Sequence, residues 1–348
     1  MASTYYVSQQ RGDDSNNGTS PSTPKATLAA LQAVMGADGD TAYIGPGTYR
    51  ERYVVQNVNQ TFRADPGGLY VVGDTPGRVR ITGCDANEIP SSGAVVDFNG
   101  KTGCSLLGGD IDHLLIVDGS SDAYAVFGVT LPACQYVEAG GYNGFFASAC
   151  TQCIANVNRV GFYDCDTTLC VSMSPFYPYQ IVGTSAARTA LNCVAIGGVY
   201  CYLNTGTGAI YTVKNCLALL GGTTGAFAGE SRGMTLVNCA AHKCYQAFYG
   251  RNASYPLDIS SCYYSQVYTL QRGGGYETGT PTATGIVTFD TPALIRVLEP
   301  IIYAGIDGIG TPTGAPATDI LGRTLPNPPP IGPWYPINDN GRMWRPQI

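Results

Sequence analysis

The feature that most constrains the fold of this chain is a cysteine that recurs at a fixed interval. Five cysteines are each separated by 23 residues, namely Cys170, Cys193, Cys216, Cys239 and Cys262. Going backward along the chain, Cys153 and Cys134 extend the series at intervals of 17 and 19 residues. A fixed period near 20 residues is the signature of a solenoid, in which each repeat packs only against its neighbours. The spacing therefore predicts a stack of similar coils of about 17–23 residues each.

Aligning the 23-residue windows shows which positions of a coil are polar and which are apolar. The residues before the last four cysteines are Asn192, Asn215, Asn238 and Ser261. Nineteen residues after each of the first four cysteines come Thr189, Thr212, Thr235 and Asp258, and one residue later come Ala190, Val213, Leu236 and Ile259. A polar column beside an apolar one is the alternation of a half-buried strand. We expect the asparagines at turns, where they tolerate left-handed backbone, and the cysteines in a buried internal column.

The composition favours β-structure and excludes several classes of partner. Of the 348 residues, 13% are charged, about half the usual share, while 45 are Gly and 24 are Tyr. We therefore expect an all-β, right-handed parallel β-helix with a short N-terminal capping helix. The net charge of −6 offers no basic surface for nucleic acid, and no run of 18 apolar residues predicts membrane insertion. No basic segment followed by an apolar one begins the sequence, so we expect synthesis in a cytosol.

Thirteen cysteines also raise the question of disulfides and metal sites. Because the count is odd and no export signal is visible, a reduced column is the favoured interpretation. Strands in a sheet lie about 4.8 Å apart, which leaves disulfides between coils sterically open. Cys150 and Cys153 form a CxxC pair without a second pair or a matching histidine, so we predict no metal and no cofactor.

The N-terminal segment predicts how the stack begins. Thr23 is the predicted N-cap of a short helix, and Pro24 is its predicted first residue. The helix is expected near residues 24–35, with an apolar face formed by Leu28, Leu31 and Met35. Such a helix would cover the open end of the first coil, whose exposed edge would otherwise invite pairing with another strand.

Both ends of the sequence resemble one structural family. The run YYVSQQRGDDSNNGTSPSTPKATLAALQA, followed by GDTAYIGPGTYRE at 39–51, is similar to the opening of pectin-lyase-like right-handed β-helix proteins. TDILGR at 318–323 and IGPWY at 331–335 resemble the way many of these helices close. The resemblance implies a leading strand, capping helix and first rung over 1–50, the solenoid over 51–289, and a closing segment rich in Pro, Gly and Trp over 290–348. This superfold hosts lyases, hydrolases, isomerases and structural proteins, so it does not imply one activity.

Candidate catalytic residues are few. The NTD, DD, GHG and RIK motifs typical of polygalacturonases are absent, and the only histidines are His113 and His242. Cleavage of a glycosidic bond otherwise needs two carboxylates at roughly 5–10 Å from each other. By position on the coils, the strongest cluster consists of Glu230, Arg232, Arg251 and Asp258, and Asp164 with Asp166 is a second candidate. Carboxylates near turns are more often turn formers or surface charges.

Aromatic residues recur at similar places on successive coils. The predicted contacts for sugar rings or for a neighbouring subunit are Tyr177, Tyr179, Tyr200, Tyr202, Tyr245 and Tyr249, accompanied by Phe176 and Phe248. The alternative is that these rings stack inside the solenoid.

Three further motifs have ordinary explanations. GDDSNNGTS at 12–20 matches a calcium-binding loop, but Asp, Asn and Gly are equally typical of metal-free turns. The RGD tripeptide at 11–13 is too short to imply a receptor, and His242 with Lys243 forms an acid–base pair only if both reach solvent.

The hypothesis that joins these observations is a structural bacteriophage protein. The sequence resembles tailspike, fibre and capsid-decoration proteins, which implies a homotrimeric appendage on the virion surface that is made in the host cytoplasm. Its expected partners are other virion proteins and a host surface polysaccharide. The alternatives are a polysaccharide lyase or glycosidase, and a non-viral carbohydrate-binding module.

Overall fold

The computed structural model describes residues 1–82, 94–108, 114–117, 123–182, 187–207, 210–221, 224–231, 233–251, 257–260, 262–265, 267, 269–272, 277–278 and 282–283. These residues fall into two compact units. The first comprises Met1–Thr167 with Val171–Ser174, and the second comprises Thr168–Cys170 with the described residues from Pro175 onward. Within the described residues, no helix is long and apolar enough to cross a membrane. The predicted closing segment 290–348 and the residue His113 lie outside the described residues.

In the first unit, parallel strands form three faces. The first face contains β1 (Thr4–Val7), β2 (Thr41–Ile44), β5 (Thr61–Ala64), β8 (Ser105–Leu107), β11 (Ala133–Gln135), β13 (Ala149–Thr151) and β15 (Asp166–Thr168). The second face contains β3 (Gly47–Tyr49), β6 (Val79–Thr82), β9 (Leu114–Val117), the first halves of β12 (Val137–Phe146) and β14 (Ile154–Tyr163), and β16 (Val171–Met173). The third face contains β4 (Tyr53–Val54), β7 (Ala94–Asp97), β10 (Tyr124–Phe127) and the second halves of β12 and β14.

Strict registers place like residues above one another in this unit. On the first face, a buried column runs through Ala42, Phe62, Leu106, Cys134 and Cys150. On the third face, Val126, Phe145 and Phe162 point inward, and the rings of Phe145 and Phe162 stack with centroids 5.1 Å apart. Burial of these columns supplies the hydrophobic stabilisation of each coil.

The N-terminal cap differs from its predicted form. Helix α1 spans Leu28–Val34, and its N-cap is Thr27, whose side chain accepts a hydrogen bond from the Ala30 N–H. Pro24 precedes the helix because residues 18–25 are extended along the free edge of β1. Lys25 donates its N–H to the Tyr6 carbonyl (2.9 Å) and accepts from the Ser8 N–H (2.8 Å). The prediction of Thr23 as N-cap was therefore wrong, but the predicted apolar face is buried, as Leu28, Leu31 and Met35 show.

In the second unit, the strands repeat the same three faces. The first face contains β18 (Arg188–Leu191), β21 (Tyr211–Lys214), β24 (Met234–Val237), β27 (Leu257–Ser260) and β30 (Glu277–Thr278). The second face contains β19 (Val194–Ile196), β22 (Leu217–Leu219), β25 (Ala240–His242), β28 (Tyr263–Ser265) and β31 (Thr282–Ala283). The third face contains β17 (Tyr177–Ile181), β20 (Tyr200–Asn204), β23 (Gly225–Gly229), β26 (Gln246–Gly250) and β29 (Thr269–Arg272). The predicted parallel β-helix, with one short helix before it, is confirmed.

The 23-residue period of the sequence is the strand register of the second unit. The predicted polar column is paired residue by residue as Thr189, Thr212, Thr235 and Asp258. Beside it, the predicted apolar column is buried as Ala190, Val213, Leu236 and Ile259.

The asparagines of the repeat occupy the turn between the first and second faces. Asn192, Asn215 and Asn238 have φ angles of 54°, 52° and 53°, which is the left-handed region, and all three are buried. The side-chain amide of Asn215 donates to the Asn192 Oδ1 at 2.5 Å. The turn conformation and the hydrogen bond along the stack are both as predicted.

Each repeat cysteine follows this turn and opens the second face. The carbonyls of Cys193 and Cys216 accept the N–H groups of Leu217 and Ala240, each at 2.9 Å. The twelve cysteines of the described residues are buried free thiols, as expected for a reduced column. In the first unit, Cys153 has the equivalent position before β14, but Cys134 does not. Cys134 lies within β11 opposite Cys150, because only 16 residues separate these two register partners.

A stack of four rings fills the interior of the second unit. The rings of Tyr179, Tyr202, Phe227 and Phe248 have successive centroid distances of 4.7, 5.0 and 5.7 Å. The Tyr202 hydroxyl lies 2.9 Å from the Cys193 carbonyl and 3.2 Å from the Leu217 carbonyl. The Tyr179 hydroxyl makes the same contacts one coil earlier. Each phenol therefore joins the third face to the turn that carries the cysteine.

We predict that Asn215→Ala lowers the free energy of unfolding by about 2–4 kcal/mol, because alanine resists positive φ and leaves the Asn192 Oδ1 unsatisfied. Asn215→Gly keeps the backbone conformation and should cost about 1–2 kcal/mol less. Urea denaturation of both variants beside the wild type checks this. Equal losses in the two variants would show that left-handed backbone does not contribute.

Candidate functional site

A tyrosine and a glutamate meet at the surface of the second unit. Tyr200 begins β20 and is half-buried, and its hydroxyl donates a hydrogen bond to the Glu230 Oε1. Glu230 follows β23 directly, and its N–H is held by the Asn204 carbonyl at 2.9 Å. Burial, the hydrogen bond to Glu230 and the charge of Glu230 all raise the pKa of Tyr200, so the phenol stays protonated.

Tyr249 lies beside this pair because the intervening strand lacks a side chain. Gly225 is the register partner of Tyr200. A Cβ added at Gly225 would lie 2.9 Å from the Tyr249 Cβ, which is too close. Glycine at this position therefore lets Tyr249 pack over β23 towards the coil of Tyr200.

Two more residues complete the cluster. The ring of Tyr177 stacks on the ring of Tyr200, with centroids 6.2 Å apart and planes inclined by 15°. Arg251 follows β26, and its N–H donates to the Gly229 carbonyl at 3.1 Å. The Arg251 side chain is exposed, and the ion pairs found among the described residues do not include it. We call Tyr177, Tyr200, Glu230, Tyr249 and Arg251 the Tyr200 cluster.

The groups of the Tyr200 cluster suit a polyhydroxylated ligand. A carboxylate accepts hydrogen bonds from paired hydroxyl groups, and a guanidinium donates to hydroxyls or to the carboxylate of an acidic sugar. Tyrosine rings offer an apolar surface with a polar edge, which matches the alternating character of a sugar ring. Within the described residues, no group of three His, Cys, Asp or Glu side chains is placed to hold a metal ion.

The predicted catalytic residues are only partly brought together. Glu230 and Arg251 end neighbouring strands of the third face. Asp258 lies on the first face in β27, opposite Thr235, and is exposed. Arg232 lies outside the described residues. The second candidate pair occupies a turn, since Asp164 has a φ of 52°.

Two of the six predicted contact tyrosines are wrong. Tyr179 and Tyr202 are 1% and 0% exposed, because alternation along β17 and β20 directs them into the interior ring stack. Tyr177, Tyr200 and Tyr249 are half-buried at the surface, and Tyr245 lies half-exposed just before β26. The aromatic recurrence of the sequence thus combines an interior column with a surface cluster.

A further surface stack, on the first unit, was not predicted. Phe127, Phe146 and Tyr163 alternate with inward residues on the third face, and their rings stack at 4.6 and 5.1 Å. The irregular spacing of the coils in this region hides the recurrence in the sequence. Stacked rings cover each other's faces, so this column contributes mainly to stability.

The histidine of the predicted acid–base pair is buried. His242 in β25 is 2% exposed. Burial and the neighbouring charge of Lys243 lower the pKa of His242 to about 3. The imidazole is therefore neutral near pH 7 and lacks the solvent contact that the predicted pair with Lys243 requires.

Carboxylates of the calcium-like segment serve as backbone acceptors. Asp14 accepts hydrogen bonds from the N–H groups of Ala26 and Thr27 at 2.8 and 3.0 Å, and from the Thr27 hydroxyl at 2.9 Å. Asp13 accepts the Ser15 N–H. These bonds fix the turn that precedes α1.

Comparison with known proteins gives little beyond the fold. No protein-family model matches the chain, and no curated protein sequence matches it. Among solved structures, a rhamnogalacturonan lyase is similar over 76% of this chain and 74% of its own length, with 15% identity and a TM-score of 0.39. The fold assignment rests on the strand registers rather than on this similarity.

We predict that His242 makes the protein less stable in mild acid. The pKa of His242 when folded lies below its ordinary value of 6.5, so the unfolded chain binds more protons between the two values. Stability therefore falls as the pH decreases through that window, by about 2 kcal/mol at pH 5. Urea denaturation at pH 7 and pH 5 should show that His242→Leu removes a loss of this size. A decrease as large in the variant as in the wild type would contradict the prediction.

Proposed function

We propose that this protein binds polysaccharide through the Tyr200 cluster. The observation that carries the proposal is the hydrogen bond between Tyr200 and Glu230 at the surface, beside the exposed Arg251. In this arrangement the phenol fixes one carboxylate oxygen of Glu230. The other oxygen has no hydrogen-bond partner within the described residues and is available to sugar hydroxyls.

Preorganisation supports binding at this place. Glu230 and Arg251 are each anchored by a backbone hydrogen bond to the preceding coil, to Asn204 and Gly229 respectively. Tyr200 is held by its stacking on Tyr177. Side chains that are fixed before binding lose little conformational entropy when a ligand arrives. The exposed guanidinium favours an acidic polysaccharide over a neutral one.

Binding is favoured over hydrolysis by the number of carboxylates. Retaining and inverting glycosidases use two carboxyl groups that face one glycosidic bond. Among the described residues of the Tyr200 cluster, Glu230 is the one carboxylate, because Asp258 lies on another face.

Lyase chemistry is the second candidate, and one observation favours it. β-Elimination needs a base to remove the proton next to a uronate carboxyl, and a cation near that carboxyl. The pair of Glu230 and Tyr200 supplies a base with a proton donor, and Arg251 supplies the cation.

The proposed setting remains a homotrimeric appendage on a virion surface that contacts host polysaccharide. A non-viral carbohydrate-binding module is the alternative setting for the same site. Phage structural genes beside the gene for this chain would support the virion, and their absence would support the module.

Affinity electrophoresis against a panel of acidic polysaccharides tests the binding proposal. For the polysaccharide that retards the wild type, Glu230→Gln and Arg251→Gln should each weaken binding about tenfold, equivalent to about 1.4 kcal/mol. Asp258→Asn, an exposed carboxylate on the first face, is the matched control and should bind like the wild type. The proposal fails if no polysaccharide is retained, or if Asp258→Asn weakens binding as much as Glu230→Gln.

The same panel separates binding from cleavage. A polysaccharide that is bound but stays intact supports binding alone. Ultraviolet absorbance from unsaturated uronate that disappears in both Glu230→Gln and Tyr200→Phe would replace the binding proposal with the lyase.

A further inference from the structure

A loop of the first unit exposes apolar side chains to solvent. Residues 65–78 connect β5 to β6, and three of them form what we call the apolar tip. Leu69 is 72% exposed, Tyr70 is 40% exposed and Val72 is 60% exposed. Val71, between them, is fully buried and attaches the loop to the body of the unit.

A buried carboxylate holds the first half of this loop. Asp65 accepts the N–H groups of Leu69, Tyr70 and Val71 at 3.0, 2.7 and 2.6 Å. One side chain thereby orders three consecutive residues, which include two members of the apolar tip.

A second carboxylate holds the other half. Asp74 accepts from the Ser8 hydroxyl at 2.8 Å and from the Arg11 Nε at 2.9 Å. Arg11 also donates to the Val72 carbonyl. A Cβ at Gly45 would lie 2.3 Å from the Asp74 Oδ2, so glycine makes room for this carboxylate.

Neighbouring side chains fix the remaining freedom of the loop. Gln10 exchanges two hydrogen bonds with the backbone of Thr75, at 2.9 and 3.1 Å. The ring of Tyr70 stacks on the ring of Tyr43 with centroids 4.2 Å apart. The apolar tip is therefore a rigid protrusion.

Rigid exposure of apolar groups is costly unless a partner covers them. A protrusion whose ordering is already supplied by internal hydrogen bonds binds with little further loss of entropy. Three side chains of this size expose roughly 300 Å², which is typical of a functional patch and below the roughly 800 Å² per partner of a stable interface. The apolar tip therefore suits the centre of a larger contact.

Charge points to the partner. Residues 1–82 contain seven Lys and Arg and seven Asp and Glu, whereas the whole chain carries −6. The negative charge thus resides beyond residue 82, and the region of the apolar tip is the part where two copies meet without net repulsion. A symmetric contact also places tip against tip, which lets each copy supply the apolar surface that the other needs.

We infer that the apolar tip is a self-association surface whose occupant is a second copy of this chain.

Light scattering and sedimentation of the full chain test this inference. The wild type should be oligomeric at micromolar concentration, and Leu69→Asp combined with Val72→Asp should shift it to the monomer. Both side chains are exposed, so circular dichroism and the melting temperature should stay unchanged. Val129→Asp is the matched control, because Val129 is also 60% exposed but lies on another turn, and it should leave the oligomer intact.

Crosslinking gives a second measurement that does not depend on tolerance of new charges. Leu69→Cys should yield a crosslinked pair of chains with a short bismaleimide, and Val129→Cys and the wild type should not. The inference is overturned if the wild type is monomeric, if the double Asp variant keeps its oligomeric mass, or if both Cys variants crosslink equally.

Discussion

Hydrogen bonding between successive coils is the constraint on which this structure depends. Each strand pairs in parallel with the strand one coil earlier, so every side chain lies above the residue at the same position of its neighbour. A column is stable only if its residue type packs against itself. Threonine, aromatic rings, small apolar residues and cysteine meet this demand, and like charges directly above one another do not. The low charged fraction of 13% is consistent with this demand.

Turns obey a related rule. A residue between two faces must adopt left-handed backbone, and its side chain must also fit a column. Asparagine satisfies both conditions at 192, 215 and 238, where its amide bonds along the stack. Leu220 and Lys243 have φ angles of 54° and 50° without such an amide, so tertiary packing must hold those turns.

Regular parts of the molecule were predictable from the sequence and irregular parts were not. The 23-residue period gave the registers of the second unit, because residues at equal spacing lie at equal positions. Cys134 was misassigned because spacing alone cannot tell a strand centre from a turn when the coil length changes. Thr23 failed as an N-cap because the edge of β1 recruits residues 18–25, a tertiary demand that local propensity does not encode. The surface cluster was half visible: Tyr200 and Glu230 were each singled out, but their hydrogen bond joins residues 30 positions apart.

The constant coil of the second unit also bears on how such a chain can change its length. From β18 to β27, each first-face strand begins 23 residues after the one before it, and every column repeats with that step. Duplication or loss of one such segment, starting at any point within the coil, would restore each residue to its own column. A shift of any other size would move cysteines onto strand positions and asparagines off their turns. Variation in this region during evolution is therefore expected to be quantised, with whole coils as the unit of gain or loss.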